Sequence, residues 1–435
     1  MSARSAPSAR TARPAATLAV VLAGVSAALH LGKLPPAVPA LQATLGIGWV
    51  EAGFLLSLVQ VAGMLLGMAV GLTADTLGLR RSMLGGLAVL TGASVLGGLV
   101  GTMESEGHGG PTAVHALLVL RAVEGLGFLL VVMPAPGLIR AFATPGTEKA
   151  AMGWWGAYMP LGVALALLIG PVLIGVIGWP GWWWALALVS AAAALGVRAC
   201  LPADPKGVAG RDAPVAAGNW RVRLHETLRA PGPWLVALAF AVYSSQWIAV
   251  IGFLPAIYAG VGVPAGWSAV LTAFAAALNI VGNLTGGRLL QRGVAPASLL
   301  RWGYLAMALG SVAAFAQVAT VGQGAAALGL PPLLRYVAVC VFSLAGGMIP
   351  ATLFSLAVRL APGATTVSTT VGLVQQASAL GQFAAPPVVA WLAHRMGGWQ
   401  CTWALTLACS LAGVALAARL ARASARVAVD AQPSR

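Results

Sequence analysis

Two long apolar segments are joined by the stretch Gly71-Leu-Thr-Ala-Asp75-Thr-Leu-Gly78-Leu-Arg80-Arg81. Two glycines, one aspartate and two arginines occur in this short connection. A link between two membrane spans needs only a turn and a few polar residues. The regular placement of these residues therefore indicates a specific structural role for this connection.

The composition excludes a soluble globular protein. Of 435 residues, 59% are hydrophobic and 8% are charged, with a mean hydropathy of +0.88, whereas soluble domains carry about 25% charged residues. A membrane-spanning helix needs roughly 20 apolar residues, and about twelve such runs predict an all-α protein with twelve transmembrane helices. The predicted spans are 15–36, 48–71, 82–101, 113–138, 150–177, 180–199, 232–258, 266–287, 298–320, 333–357, 366–392 and 399–419.

The basic residues predict the orientation in the membrane. The net charge of +15 is spread over short loops, which argues against nucleic-acid binding. If both termini are cytoplasmic, that side holds 21 of the 25 Lys and Arg residues, and the opposite side holds Arg395. This asymmetry follows the positive-inside rule and predicts a multi-pass inner-membrane protein. The N-terminal region resembles a signal peptide, but its apolar run is long enough to be retained as the first span.

The chain divides into two halves that repeat each other weakly. We expect tails at 1–14 and 421–435, six-helix bundles at 15–200 and 231–420, and a cytoplasmic linker at 201–230. A shift of 216 residues superposes Pro39-Ala40 on Pro255-Ala256. Shifts of 215 and 219 superpose Gly78 on Gly293 and Trp184 on Trp403. Internal symmetry of this kind is common in secondary transporters.

The opening stretch closely resembles the signature between helices two and three of the major facilitator superfamily, written G-x-L-x-D-x-x-G-x-R-R. Its positions are filled by Gly71, Asp75, Gly78, Arg80 and Arg81, and Thr73 replaces an aliphatic residue. The resemblance implies a secondary transporter that works by alternating access. It also implies that these five residues and Arg140 form a conformational switch, in which Asp75 locks the inner gate.

Shorter segments resemble particular branches of that superfamily. The segments His30-Leu-Gly-Lys33-Leu-Pro-Pro and Gly252-Phe-Leu-Pro255-Ala-Ile-Tyr258 are similar to the cyanate/nitroimidazole transporter-like branch. That branch carries an Arg where this chain has Lys33, and lysine lacks the bidentate geometry of arginine. The substrate is therefore not carried over. Glycines in span five, with Gly170-Pro171, partly match a motif of proton-coupled exporters.

Ionisable residues inside spans are the first candidates for function, since each costs about 2.5–3.5 kcal/mol to insert. His30 and Lys33 share one helix face, and so do Arg121 and Glu124. The alternatives are that Lys33 reaches outward to lipid headgroups, that His30 is a satisfied core residue, and that Arg121 and Glu124 form a purely structural ion pair. Arg335 is either a fourth charged group of the cavity or an interfacial anchor.

These charges predict a solute and a coupling ion. If all four charged groups face the cavity, it holds three positive charges, on Lys33, Arg121 and Arg335, and one negative charge, on Glu124. This excess of positive charge favours a small organic anion as the solute. Glu124 or His30 is chemically suited to bind a coupling proton, since the unperturbed pKa of histidine is about 6.5.

Uncharged polar residues complete the predicted site, either as solute ligands or as interhelical hydrogen-bonding groups. We expect Trp182, Trp183 and Trp184 to lie in an interfacial belt. The polar candidates are Tyr158, Tyr243, Gln246, Asn279, Asn283, Gln375 and Gln376.

No enzyme signature, nucleotide-binding loop or cofactor motif is present, and the four cysteines lack metal-ligand spacing. We expect no cofactor and no metal. The expected partners are a small-molecule substrate, protons and the lipid bilayer, with the chain acting as a monomer. The alternatives are a proton-coupled exporter of a neutral or cationic compound, and more remotely an intramembrane enzyme or a sensor.

Overall fold

The computed structural model describes residues 14–105, 110–143, 148–203, 220–317 and 329–430. Over these ranges the chain is almost entirely helical and contains no strand. The helices of the first half are α1 (Pro14–Gly32), α2 (Leu34–Leu45), α3 (Trp49–Ser57), α4 (Val61–Leu77), α5 (Leu79–Ser105), α6 (Gly110–Val132), α7 (Ala135–Phe142), α8 (Glu148–Gly156) and α9 (Tyr158–Cys200). Those that follow are α10 (Trp220–Arg229), α11 (Pro231–Gly260), α12 (Ala265–Gln291), α13 (Pro296–Phe315), α14 (Pro332–Arg359), α15 (Val367–Met396) and α16 (Thr402–Asp430).

The helices make up the twelve predicted spans. Ten stretches of the described chain are long and apolar enough to cross a membrane. One of them, α9, is 43 residues long and consists of two helices that meet at Gly178, where φ is +70°. Helix α15 has the length of a span, at 30 residues, but carries three glutamines that make it more polar. Counting both parts of α9 and adding α15 gives twelve.

Several helices of the first half are broken near their middle. The first span breaks at Lys33, because Pro35 and Pro36 have no N–H to donate to the preceding turn. The second span is interrupted by a 3-10 turn at Leu58–Gln60. The fourth span changes from α6 to α7 at Pro134. In the described part of the second half, the matching helices run through their prolines without a break. The first half is therefore the more irregular of the two.

The backbone confirms the internal repeat. Six residues of the described chain have φ between +64° and +88°, and all are glycines, as expected because other residues rarely adopt this conformation. The separations within the pairs, 216, 215 and 219 residues, equal the shifts that align the sequence of the halves. The pairs are Gly46 with Gly262, Gly78 with Gly293, and Gly178 with Gly397.

The two halves are closed against each other at the end of the molecule remote from the termini. Leu34, Val38 and Leu41 on α2 are fully buried and belong to the same apolar cluster as Phe253 of the second half. At the same end the Trp49 and Trp399 rings lie 5.2 Å apart, edge to face.

Some predicted boundaries differ from the structure. The first span continues beyond Pro36 to Leu45, because the chain resumes a helix at Leu34 and the first turn of a helix accommodates the two prolines. The signature stretch is mostly helical, since α4 extends to Leu77 and Gly78 alone joins it to α5. The predicted linker includes α10, while residues 204–219 lie outside the described residues. The side chains of 70–77, Asp75 among them, also lie outside the description.

Close helix contacts in the second half depend on the absence of a side chain at Gly282. A Cβ at Gly282 on α12 would lie 1.9 Å from the Leu344 carbonyl oxygen on α14. We expect Gly282→Ala to destabilise the protein by roughly 1–3 kcal/mol, because the main chain of α14 must move. Gly287→Ala, in the same helix, is the matched control, since nothing lies within 4 Å of its Cβ position. Thermal unfolding in detergent checks this, and an equal effect at both positions would contradict it.

Candidate functional site

Four ionisable side chains meet inside the first half. His30, Lys33, Arg121 and Glu124 are each at most 2% exposed. One Glu124 carboxylate oxygen accepts a hydrogen bond from Lys33 Nζ and the other accepts one from Arg121 Nη1. His30 Nδ1 lies 3.7 Å from the first of these oxygens. We call these four residues the charge cluster. With His30 neutral, it holds two cations and one anion.

Two serines that sequence reasoning missed extend the charge cluster. Ser94 on α5 accepts from Lys33 Nζ at 2.9 Å and donates to Glu124 at 3.2 Å. Ser190 on α9 lies 2.6 Å from His30 Nε2 and 3.2 Å from the Ser26 hydroxyl. A hydrogen-bonded chain therefore runs from Ser26 through Ser190 and His30 toward Glu124. Isolated serines in long apolar runs gave no signal by which to find it.

The tryptophans after the α9 kink form a wall of the charge cluster. Trp182 and Trp183 are each 2% exposed, so the predicted position in an interfacial belt is wrong for both. Trp182 Nε1 donates to the Lys33 carbonyl at 3.1 Å. The Trp183 ring centroid lies 4.6 Å from Lys33 Nζ, within cation–π distance. Lys33 is thus held on several sides and does not reach outward to lipid headgroups.

Arg121 also binds the main chain of two other helices. Its Nε donates to the Leu55 carbonyl on α3 at 3.0 Å, and its Nη1 donates to the His30 carbonyl on α1 at 2.9 Å. Its Nη2 is buried and has no hydrogen-bond partner among the residues that the structure describes. Arg121 therefore does more than neutralise Glu124, as a simple ion pair would.

Arg335 does not join the charge cluster. It lies in the first turn of α14, at the end of the molecule remote from the termini, and its Nε donates to the Ala314 carbonyl at 2.6 Å. The predicted excess of positive charge, which counted Arg335, is reduced accordingly. The alternative, that Arg335 is an interfacial anchor, stays a prediction.

The second half contains an uncharged polar group at its core. Asn279 Nδ2 donates to the Tyr243 hydroxyl at 3.0 Å and to the Ser343 carbonyl at 3.1 Å. Gln246 is fully buried, and its amide oxygen accepts from Ser410 at 2.9 Å. A shift of 216 residues superposes His30 on Gln246, so a neutral amide stands where the first half has an imidazole.

The remaining polar candidates lie at or near the contact between the halves. Asn283 Nδ2 approaches the Gly156 carbonyl at 3.4 Å, and the Gln376 amide oxygen approaches the Met68 N–H at 3.3 Å. Tyr158 stacks on Trp155 with the ring centroids 4.2 Å apart. Gln375 is half-buried on α15. The predicted residues therefore form three separate groups rather than one.

Sequence reasoning missed Gln60 among the groups at this contact. Gln60 Nε2 donates to Gln382 Oε1 at 3.0 Å across the halves. Gln382 in turn donates to Ser378 at 3.1 Å. This bond sits at the 3-10 turn of the second span, next to the charge cluster.

The signature stretch is described only in part. Gly78 has a φ of +88°, which allows the abrupt connection between α4 and α5. Arg80 Nη2 donates to the Arg198 carbonyl at 2.9 Å and so caps the end of α9. Arg81 and Arg140 are exposed. Gly71 and Asp75 lie in the helical part of the stretch, whose side chains are outside the description.

Comparison with known proteins identifies the family. The sequence profile of the Major Facilitator Superfamily matches residues 16–386. The chain belongs to this superfamily. It is therefore a multi-pass membrane transporter and not an enzyme, as the signature stretch implied. The resemblance to the cyanate/nitroimidazole branch stays a prediction.

Individual relatives are more distant. The chain is 30% identical, over 173 residues, to the tetracenomycin C resistance and export protein of Streptomyces glaucescens. That match covers 38% of this chain and 29% of the relative, so this chain spans less than a third of the relative's length in the match. Two crystal structures of a bacterial homologue of the human lysosomal transporter Spinster, inward-facing and either occupied or unoccupied, have a TM-score of 0.65. They share 16% and 18% identity over 95% of both chains, which shows the same fold.

Proposed function

We propose that this transporter couples proton movement to the transport of a small organic solute, with Glu124 as the proton-binding carboxylate. The observation that carries the proposal is a single buried carboxylate placed between two buried cations. An ionisable group inside a membrane span is costly and is therefore a functional hypothesis by default. A change of charge during transport would explain why the protein keeps such costly ionisable groups inside its spans.

Protonation of Glu124 changes the charge of the cluster by one unit. The cluster carries one net positive charge when Glu124 is ionised and His30 neutral, and two when Glu124 is protonated. Lys33, Arg121 and His30 are the titratable groups that face Glu124, and Ser94 is its hydroxyl partner. In a medium of low dielectric constant, a change of one charge alters the relative stability of two arrangements strongly. Glu124 can therefore link proton binding to alternating access.

The positive charge of the protonated cluster favours a small organic anion as the solute. An anion that enters between the halves would be attracted most strongly when Glu124 carries a proton, so solute and proton would move together. Asn283, Gln376 and Tyr158, at or near the contact between the halves, are the uncharged groups proposed to orient it. The solute site is thus proposed to lie beside the charge cluster rather than in it.

Export is the second candidate function, and the match to the tetracenomycin C resistance and export protein favours it. In that case a neutral or cationic compound would leave in exchange for protons. The protonated cluster, with two positive charges, would repel a cation more strongly than the ionised cluster, with one, so a cationic solute and a proton would compete. The two candidates therefore differ in direction: the solute moves with the proton in the first and opposite to it in the second.

We propose that both termini are cytoplasmic, since most basic residues then lie on that side. The closed end of the molecule would face outward, and the solute would meet the protein from the cytoplasm. The signature stretch, with Asp75 and Arg140, is proposed to act as the switch at the cytoplasmic end. One chain supplies both halves, so we propose that a monomer is sufficient.

A flux assay in proteoliposomes tests these proposals. The purified protein is given an imposed pH gradient and a panel of small carboxylates, neutral compounds and organic cations. A carboxylate that accumulates with the proton gradient supports the first candidate. A cation or neutral compound that moves in the direction opposite to the protons supports export. Flux that does not depend on the pH gradient would contradict proton coupling.

A further inference from the structure

Two helix breaks in the first half, in the first and second spans, are bound by the same side chain. Only the first of them has a signal in the sequence. The first break is at Lys33, between α1 and α2, and the second is the 3-10 turn Leu58–Gln60, between α3 and α4. The guanidinium of Arg121, on α6, reaches a main-chain carbonyl at each of them.

The two carbonyls occupy equivalent positions. His30 lies three residues before Lys33, and Leu55 lies three residues before Leu58. In a regular helix each carbonyl accepts from the residue four positions later, which here would be Leu34 and Val59. Leu34 is the first residue after the first break, and Val59 lies inside the second. Arg121 supplies N–H groups at the places where the helical ladder is disturbed.

The contact between α6 and the second break depends on a glycine. A Cβ at Gly125 would lie 2.3 Å from the Val59 carbonyl oxygen, so only glycine allows this approach. The approach brings Arg121, one turn earlier on α6, within reach of Leu55. The fork of the guanidinium then spans two helices, which a lysine ammonium with its single nitrogen does not reproduce.

We propose that Arg121 is a positioning residue that clamps both breaks, and that Glu124 sets the strength of the clamp. The carboxylate holds Arg121 through one oxygen and Lys33, the residue at the first break, through the other. Loss of the carboxylate charge frees both cations together. The bends of the first and second spans then become adjustable at once, and these two spans form the closed outer end. The part played by Glu124 rests on the proposed proton coupling; the clamp itself does not.

Hydrogen–deuterium exchange of the full-length protein in lipid nanodiscs tests the clamp without any solute. Arg121→Gln is expected to raise amide exchange about tenfold or more in segments 30–38 and 56–62 together, because both carbonyl contacts are lost. Arg335→Gln is the matched control, since Arg335 also binds a main-chain carbonyl but in the second half. It should leave both segments unchanged. A rise at one break alone, or no rise at either, would overturn the proposal.

A second variant keeps the test decisive if Arg121→Gln does not fold. Glu124→Gln retains the guanidinium and removes only the charge, and it too is expected to raise exchange at both breaks. Unchanged exchange there would overturn the role of Glu124 in the clamp. If the breaks loosen while pH-driven flux persists in Glu124→Gln, Glu124 is not the coupling carboxylate and the clamp stands. If pH-driven flux is lost and the breaks stay protected, the role of Glu124 in the clamp fails and its role in proton coupling stands.

Discussion

Replacing Glu124 by Gln is expected to abolish solute accumulation driven by a pH gradient. The amide keeps the shape of the side chain but cannot change its charge, so the cluster stays in the state with two cations. Exchange of solute across the membrane without a gradient should continue, because alternating access itself needs no proton. The measurement compares gradient-driven uptake and counterflow in proteoliposomes for the two proteins.

The control for this prediction is Glu226→Gln on α10, an exposed glutamate of the same chain. It should transport like the wild type. If Glu124→Gln still accumulates solute at more than about half the wild-type rate, Glu124 is not the coupling carboxylate. If counterflow is lost as well, the residue is needed for the conformational cycle and not for coupling alone.

The second large effect concerns stability, and the size of the loss depends on which member of the charge cluster is replaced. Glu124→Gln leaves Lys33 and Arg121 buried without a counter-charge, which is expected to cost about 3–5 kcal/mol. Lys33→Met leaves Arg121 and Glu124 as a balanced pair and adds an apolar side chain of similar length. We therefore expect Lys33→Met to be much closer to the wild type in stability, although its transport is impaired.

Thermal unfolding in detergent, followed by the fluorescence of the 15 tryptophans, measures this order. A double variant, Lys33→Met with Glu124→Gln, provides the control, since it retains one buried cation instead of two. It should recover part of the stability lost in Glu124→Gln. Equal losses for the two single variants would contradict the assignment of Glu124 as the only anion of the cluster.

The fold was predictable because its signals are local and additive. The twelve spans follow from apolar length, and the repeat follows from shifts that the positive-φ glycines reproduce. The helical pairs His30/Lys33 and Arg121/Glu124 were also visible, since their members are three residues apart. What spacing could not predict is that the two pairs meet, because Lys33 and Glu124 are separated by 91 residues.

Other features of the site leave no readable pattern in the sequence. Ser94 and Ser190 look like ordinary small residues of apolar spans, and their importance comes from the helices that surround them. Trp182 and Trp183 have the composition of an interfacial belt, yet the kink at Gly178 turns them inward. The first break is announced by a proline pair, while the 3-10 turn of the second span has neither proline nor glycine.

The central claim is that Glu124 changes protonation during the transport cycle. With only ten acidic residues in the chain, infrared difference spectroscopy over a pH series can assign a carboxyl band by comparing wild type and Glu124→Gln. We predict one protonated-carboxyl band that appears in the wild type over the pH range in which flux changes and that is missing from the variant. Identical difference spectra for the two proteins, with flux still dependent on pH, would contradict the account.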